Sequence, residues 1–170
     1  DGTTSIGVAG TVNLAGDVMI TGVNDVASLT ALQNSLVELN EVAAVNEGLL
    51  YGIAILKSSL DNRISGEVEP MDGARMQFRG MGNINAGEMN NFGGQVRFDQ
   101  DLTNEVDGEI NNFDGSLMVG STANNQADGF IGGRGEFIAD GGWTNQGVMA
   151  FSAGTADILG DVVLGTTSTT

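Results

Sequence analysis

The sequence predicts a mainly β protein, a parallel β-solenoid of about 21 residues per coil that carries a helical insertion at residues 25–64. Three observations lead to that class. GEMNNFGGQVRF (87–98) returns as GEINNFDGSLMV (108–119), and a fixed period of roughly 20 to 50 residues marks stacked structural units. Gly66, Gly87, Gly108 and Gly129 stand 21 apart without a gap. Between residues 25 and 64 the apolar residues leave that period for three-four spacing.

Taken along the chain, residues 1–23 read as a first coil, because GTVNLAGDVMI (10–20) matches GEINNFDGSLMV with one residue missing. Residues 24–65 read as the insertion. Leu29, Leu32, Leu36, Leu39 and Ala43, then Leu50, Ile53, Leu60 and Ile64, keep to one helical face, with Asn24 or Asp25 as N-cap. A single helix of that length would be about 60 Å long. Five or six coils reach only ~25–30 Å. The helix is therefore expected to fold back near Asn46-Glu47-Gly48 as a hairpin, or to project as an oligomeric coiled coil. GLLYGIAIL (48–56) is apolar around nearly the whole helical circumference, and such a helix must be buried on every side. Leu49, Leu50, Tyr51, Ile53, Ile55 and Leu56 are accordingly expected to meet another subunit; the alternative is a strand inside the same domain.

Residues 66–165 read as the repeated coils. Gly73, Gly94 and Gly115 follow the leading glycines by seven places, and Val68, Met89, Ile110 and Ile131 follow them by two. Asn83, Asn104 and Asn125 form a further column, continued by Asn145 with one residue deleted. Each coil supplies short alternating strands, such as Val96 and Phe98, broken by Gly and Asn corners. One coil cannot bury its own apolar face, whereas stacking at about 4.8 Å buries a continuous column. Asparagines in register can bond amide to amide as a ladder. Phe92 and Phe113 share a column and are expected in the core. GVMAFSAGTADILGDVVLG (147–165) is a shorter, more apolar last repeat, and residues 166–170 are an uncharged tail; the 170 residues make one domain.

GEMNNFGG, GEINNFDG and the Gly and Asn columns resemble the right-handed parallel β-helix of bacterial autotransporter and haemagglutinin-type surface adhesins and of phage tailspikes, over residues 1–23 and 66–165. The match is one of pattern, and it implies architecture more than activity. It also implies an extracellular, cell-surface or virion-surface location. The start at Asp1, without Met, suggests a removed leader or a piece of a longer protein.

Composition narrows the chemistry. A formal charge of −16, with 22 acidic residues against 6 basic and Lys57 the single lysine, argues against nucleic acid and anionic membranes as partners. No apolar run approaches the ~18 residues of a membrane span. There is no Cys and no His, so disulfides, thiol chemistry and His-based catalysis are excluded. Carboxylates remain, most densely in DQDLTNEVDGE (99–109). Paired carboxylates serve glycoside hydrolysis, and tailspike-like solenoids carry such sites, but solvated corners are the simpler reading. The EF-hand pattern fails, because counting from Asp99 puts Asn104 and Ile110 where Gly and Glu belong. A looser Ca2+ site remains as an expectation, with Asp99, Asp101, Glu88 and Glu109 as ligands, since like charges stacked in a column repel unless a cation or arginine intervenes. Arg75, Arg79, Arg97 and Arg134 are expected to pair with carboxylates across coils. Trp143 is the aromatic expected to contact a glycan.

The function expected from all this is non-catalytic: a structural protein that self-assembles as a fibre, filament or lattice subunit, with itself as principal partner and polysaccharide as a second. A glycan-binding adhesin or tail-fibre receptor module is the first alternative, and a small β-helix polysaccharide lyase or hydrolase the second. No cofactor other than Ca2+ is implied.

Overall fold

The computed structural model describes residues 12–14, 18–20, 25–31, 37–39, 43–52, 54–56, 59–70 and 72–165. The chain is a parallel β-solenoid of about 20 residues per turn, and it makes about five turns from Glu67 onward. Each turn has three strands. Glu67–Pro70, Arg75–Phe78 and Asn83–Asn85 make the first of these turns, and Glu88–Phe92, Gln95–Phe98 and Leu102–Asn104 lie on them in register. In the later turns the first two strands merge across their corner, as Glu109–Val119, Phe130–Ala139 and Val148–Leu159. The third faces of those turns are Ala123–Asn125, Trp143–Asn145 and Val162–Leu164.

Residues 87 and 108 do lie one above the other: the Glu109 amide donates to the Gly87 carbonyl, just as Glu88 N–H donates to Gly66. On the first face Val68, Met89, Ile110 and Ile131 pair in a continuous inward column, all of them buried. On the second, Met76, Val96, Leu117 and Phe137 form another, with Phe78 stacked on Phe98 at 5.0 Å beside it. Along strands such as Gln95–Phe98 and Glu109–Val119, the alternation of buried and half-buried residues puts apolar side chains inside and polar ones outside.

Asparagine holds the corner between the third and first faces. Asn104 donates through Nδ2 to Gly108 O within its own turn (2.9 Å), to Asn125 Oδ1 in the next (2.8 Å), and to Phe130 O (3.1 Å). The same arrangement runs through Asn46, Asn62, Asn85, Asn104, Asn125 and Asn145, all buried. This ladder explains the glycine column. A Cβ on Gly108 would run into Asn85 O and lie 2.7 Å from Asn104 Oδ1, so each asparagine occupies the space a side chain would need. A second, shorter ladder, Asn91 to Asn112, turns the first-to-second corner and excludes a side chain at Gly115 in the same way.

Five expectations change. No helix forms among the described residues. The segment expected as the 25–64 insertion is instead more solenoid: Asp25–Ala31, Val37–Leu39, Ala43–Gly52, Ala54–Leu56 and Ser59–Asn62 all pair in parallel with the neighbouring turns. The bend at Asn46-Glu47-Gly48 exists, but as a corner inside Ala43–Gly52, which supplies one strand to the third face and one to the first. The asparagine column passes through Asn85, which pairs with Asn104, while Asn83 pairs with Leu102; likewise Gly73 drops out of its column, because the Gln95 amide donates to the carbonyl of Ala74 in the turn below. Phe92 and Phe113 do share a column, yet on the outside: Phe92 is 50% exposed.

Three aspartates adopt left-handed backbone. Asp107 (φ 65°) and Asp128 (φ 66°) precede Gly108 and Gly129 at equivalent corners, and short polar Asp is among the few non-Gly residues that tolerate this region. Asp114 (φ 61°) is the extra residue in Glu109–Val119: Phe113 pairs with Arg134 and Gly115 with Gly135, so Asp114 bulges outward.

Candidate functional site

The last turn is built like the others but has nothing above it among the described residues. Val162 continues the inward column of Trp143, and Leu164 that of Asn145. Trp143 and Asn145 are buried, whereas Val162 is 42% and Leu164 54% exposed. Leu159 and Val163 beside them are exposed as well. The exposed acids of this turn, Asp157 and Asp161, lie outside those inward columns, so the last described turn offers an apolar row and an edge that no described strand pairs. Natural sheet edges are usually blunted by charge or proline, and this one has neither on its inward positions. The sequence signal was the apolar character of 147–165; which of its residues point inward follows only from the register.

Of the six residues expected to meet another subunit, Leu49, Leu50, Tyr51, Ile55 and Leu56 lie in strands, so for them the requirement of all-round burial for a helix does not arise. Leu50 is 2% exposed and belongs to the chain's own core. Leu49, Tyr51 and Ile55 are half-buried, Leu56 lies in Ala54–Leu56, and Ile53 is outside the described residues. Residues 1–11 and 166–170, the start of the first coil and the tail, are likewise outside them.

Trp143 is also corrected. It is 1% exposed, makes an edge contact with Phe137 at 6.5 Å, and donates through Nε1 to Leu159 O at 3.3 Å. It fills the space above the small Ala123 and is not available to a glycan in the folded chain.

The four expected Ca2+ ligands fall into two separate pairs. Glu88 and Glu109 are stacked on the first face with Glu67, and the outward asparagines beside them donate into their carboxylates: Asn90 to Glu67 (3.1 Å) and Glu88 (3.2 Å), Asn111 to Glu109 (3.1 Å). Asp99 and Asp101 lie at the corner between the second and third faces. Asp101 Oδ1 accepts the Gly82 amide at 3.0 Å. Asp99 accepts from Arg97 Nε (2.7 Å) and from Gln77 Nε2 (2.8 and 3.0 Å), with Arg79 4.0 Å away. Among the described residues no three carboxylates converge as a metal cluster. Of the expected cross-coil ion pairs, Arg79 with Asp99 and Arg134 with Asp114 span turns, whereas Arg97 serves Asp99 within one.

Two carboxylates are shifted in opposite senses. Partial burial pushes Asp99 up, but the hydrogen bonds from Arg97 and Gln77 and the charges of Arg97 and Arg79 outweigh it and hold the carboxyl below the usual aspartate value. Burial, aided by the charge of Glu67, pushes Glu69 up. A lowered folded-state value stabilises above the unfolded value and is lost as the pH falls through the folded one; a raised value on a carboxylate does the reverse. Asp99→Asn is therefore expected to lower the urea midpoint at pH 7, with the deficit shrinking at pH 3. Glu69→Gln is expected to raise the midpoint at pH 7, and that gain to vanish in acid. Urea titrations of both variants at the two pH values check the signs.

The described residues thus form a three-faced parallel β-solenoid whose last described turn leaves Val162 and Leu164 exposed. The chain matches no family model, no curated protein and no solved structure.

Proposed function

We propose that this is a non-catalytic structural protein of a cell or virion surface, whose solenoid associates with copies of itself end to end. The observation that carries the reading is the last described turn, where Val162 and Leu164 are exposed in columns that are buried from Leu60 to Trp143 and from Asn46 to Asn145. A further turn from a second copy would pair the free edge and cover that row, which is the interaction that stacks the turns within the chain. The heavy negative charge suits a soluble exterior protein and keeps the outer faces of neighbouring fibres apart. The carboxylates of 99–109 support the non-catalytic side of the reading, since Asp99 is held by cations, Asp101 by a backbone amide, and Asp107 forms a corner.

The test is native mass with electron microscopy of the 170-residue chain at about 100 µM. Species larger than 17.5 kDa are expected, with elongated particles. Val162→Lys combined with Leu164→Lys is expected to return the protein to 17.5 kDa. A wild-type chain that stays at that mass overturns the proposal.

A further inference from the structure

The edge between the first and second faces has features that neither stacking nor self-association explains. Phe92 and Phe113 lie one above the other with centroids 5.6 Å apart and rings within 6° of parallel. Phe92 is 50% exposed, although an aromatic side chain is a large apolar surface to leave in water. The fold is able to bury such a pair: Phe78 and Phe98 stack at 5.0 Å in the core. The outer pair is thus a displayed one. Beside it runs a cleft of about 390 Å³ lined by Asp72, Phe92, Gly93, Phe113, Asp114 and Arg134, within the size range of small-ligand sites.

The polar wall of the cleft is held in place. Arg134 donates from Nε (2.7 Å) and Nη2 (2.6 Å) to the two oxygens of Asp114, a bidentate pair that fixes the guanidinium plane. Asp114 reaches it because it is the bulged residue with φ 61°, at the corner that Gly93 (φ 80°) occupies one turn before. Asp72 lies against Gly93, where a Cβ would overlap its Oδ1; at φ 80° Gly93 supplies the corner that lets the carboxylate in.

We propose that this cleft binds a neutral polysaccharide. A pyranose ring has an apolar C–H face and a rim of hydroxyls, and the cleft pairs an aromatic ledge with two carboxylates that accept from hydroxyls and a guanidinium that donates to them. Charge selects the class. Asp114 and Arg134 neutralise one another, Asp72 leaves the cleft negative, and the chain as a whole carries −16, so a uronate, sulfated or phosphate polymer is repelled while an uncharged one is not.

The experiment is affinity electrophoresis of the chain in gels containing a neutral β-glucan, a galactomannan or polygalacturonate. It is performed on the Val162→Lys, Leu164→Lys double variant as well as the wild type, so that loss of self-association and loss of glycan binding are read separately. Retardation by at least one neutral polymer and none by polygalacturonate is expected. Phe92→Ala with Phe113→Ala is expected to weaken retardation at least tenfold. Asp72→Asn is a second, milder variant at an exposed position, and a severalfold loss is expected from it if the double aromatic change fails to fold. Absence of binding to any neutral polymer, stronger binding to polygalacturonate, or binding unaffected by both sets of variants overturns the proposal. So does a Phe92→Ala variant that loses self-association and leaves glycan retardation intact.

Discussion

Asn104→Ala is expected to lower the unfolding free energy by about 3–5 kcal/mol, the sum of broken buried hydrogen bonds and the cavity left behind. Its Nδ2 serves Gly108 O, Asn125 Oδ1 and Phe130 O, and its Oδ1 accepts from Asn85 Nδ2 at 2.8 Å. Alanine removes all four bonds at a position that is 1% exposed. The loss also propagates, because Asn125 Oδ1 takes its ladder bond from Asn104 and from no other asparagine. Asn124→Ala in the same kind of strand is the control. Asn124 is outward-facing and half-buried, so its replacement is expected to stay within about 0.5 kcal/mol of wild type. Urea unfolding of the two variants measures the difference. Equal, small effects would show that the ladder is incidental to stability.

The second large effect is expected at Gly108→Ala, about 3 kcal/mol, through overpacking against backbone. The new methyl would meet Asn85 O and Asn104 Oδ1, and neither can yield without separating two turns or breaking the ladder. Gly73→Ala provides the contrast. Gly73 has nothing within 4 Å of a Cβ but a φ of 70°, so only the backbone preference is lost, about 1–2 kcal/mol. Thermal or urea unfolding should therefore rank Gly108 above Gly73. The opposite order would mean that conformational freedom, and not the close approach of turns, fixes the glycine column.

Much of the architecture was legible because the features that repeat in the sequence are those that must match from turn to turn. Gly87 and Gly108, and Met89 and Ile110, stack because each turn has to present the same shape to the next. Corners are where the reading slipped. They absorb one or two residues freely, so a spacing of 21 selected Asn83, when both asparagines of Asn83–Asn85 point inward and the shorter corner puts Asn85 under Asn104. The apparent helix arose differently. Two-residue alternation confined to separate strands of three to ten residues leaves apolar residues of different strands at spacings that read as three and four: Leu29 belongs to Asp25–Ala31 and Leu39 to Val37–Leu39. The segment also lacks the regular glycines that mark the later turns, although Asn46 and Asn62 had already begun the ladder there.

The surface was harder to read than the core. An inward or outward assignment flips with each residue of register, and Trp143 and Phe92 exchanged places for that reason: the first fills the space above Ala123, the second stands outside at a corner. Composition singles out a lone tryptophan as unusual. Arg134 stands beside Phe113 by register, and the bulge relative to Phe130–Ala139 turns Asp114 outward to meet it.

Every amide in the six-membered asparagine ladder donates in one direction, from Asn46 toward Asn145. The molecule therefore has a vector along its axis, with acceptors facing one terminus and donors the other. Leu164 lies on Asn145 and has no amide, so the file of donors ends inside the chain, and the last described turn presents an apolar side chain where the next acceptor would stand. Under the stacking we propose, only a copy laid in the same sense repeats the parallel direction of the turns below it.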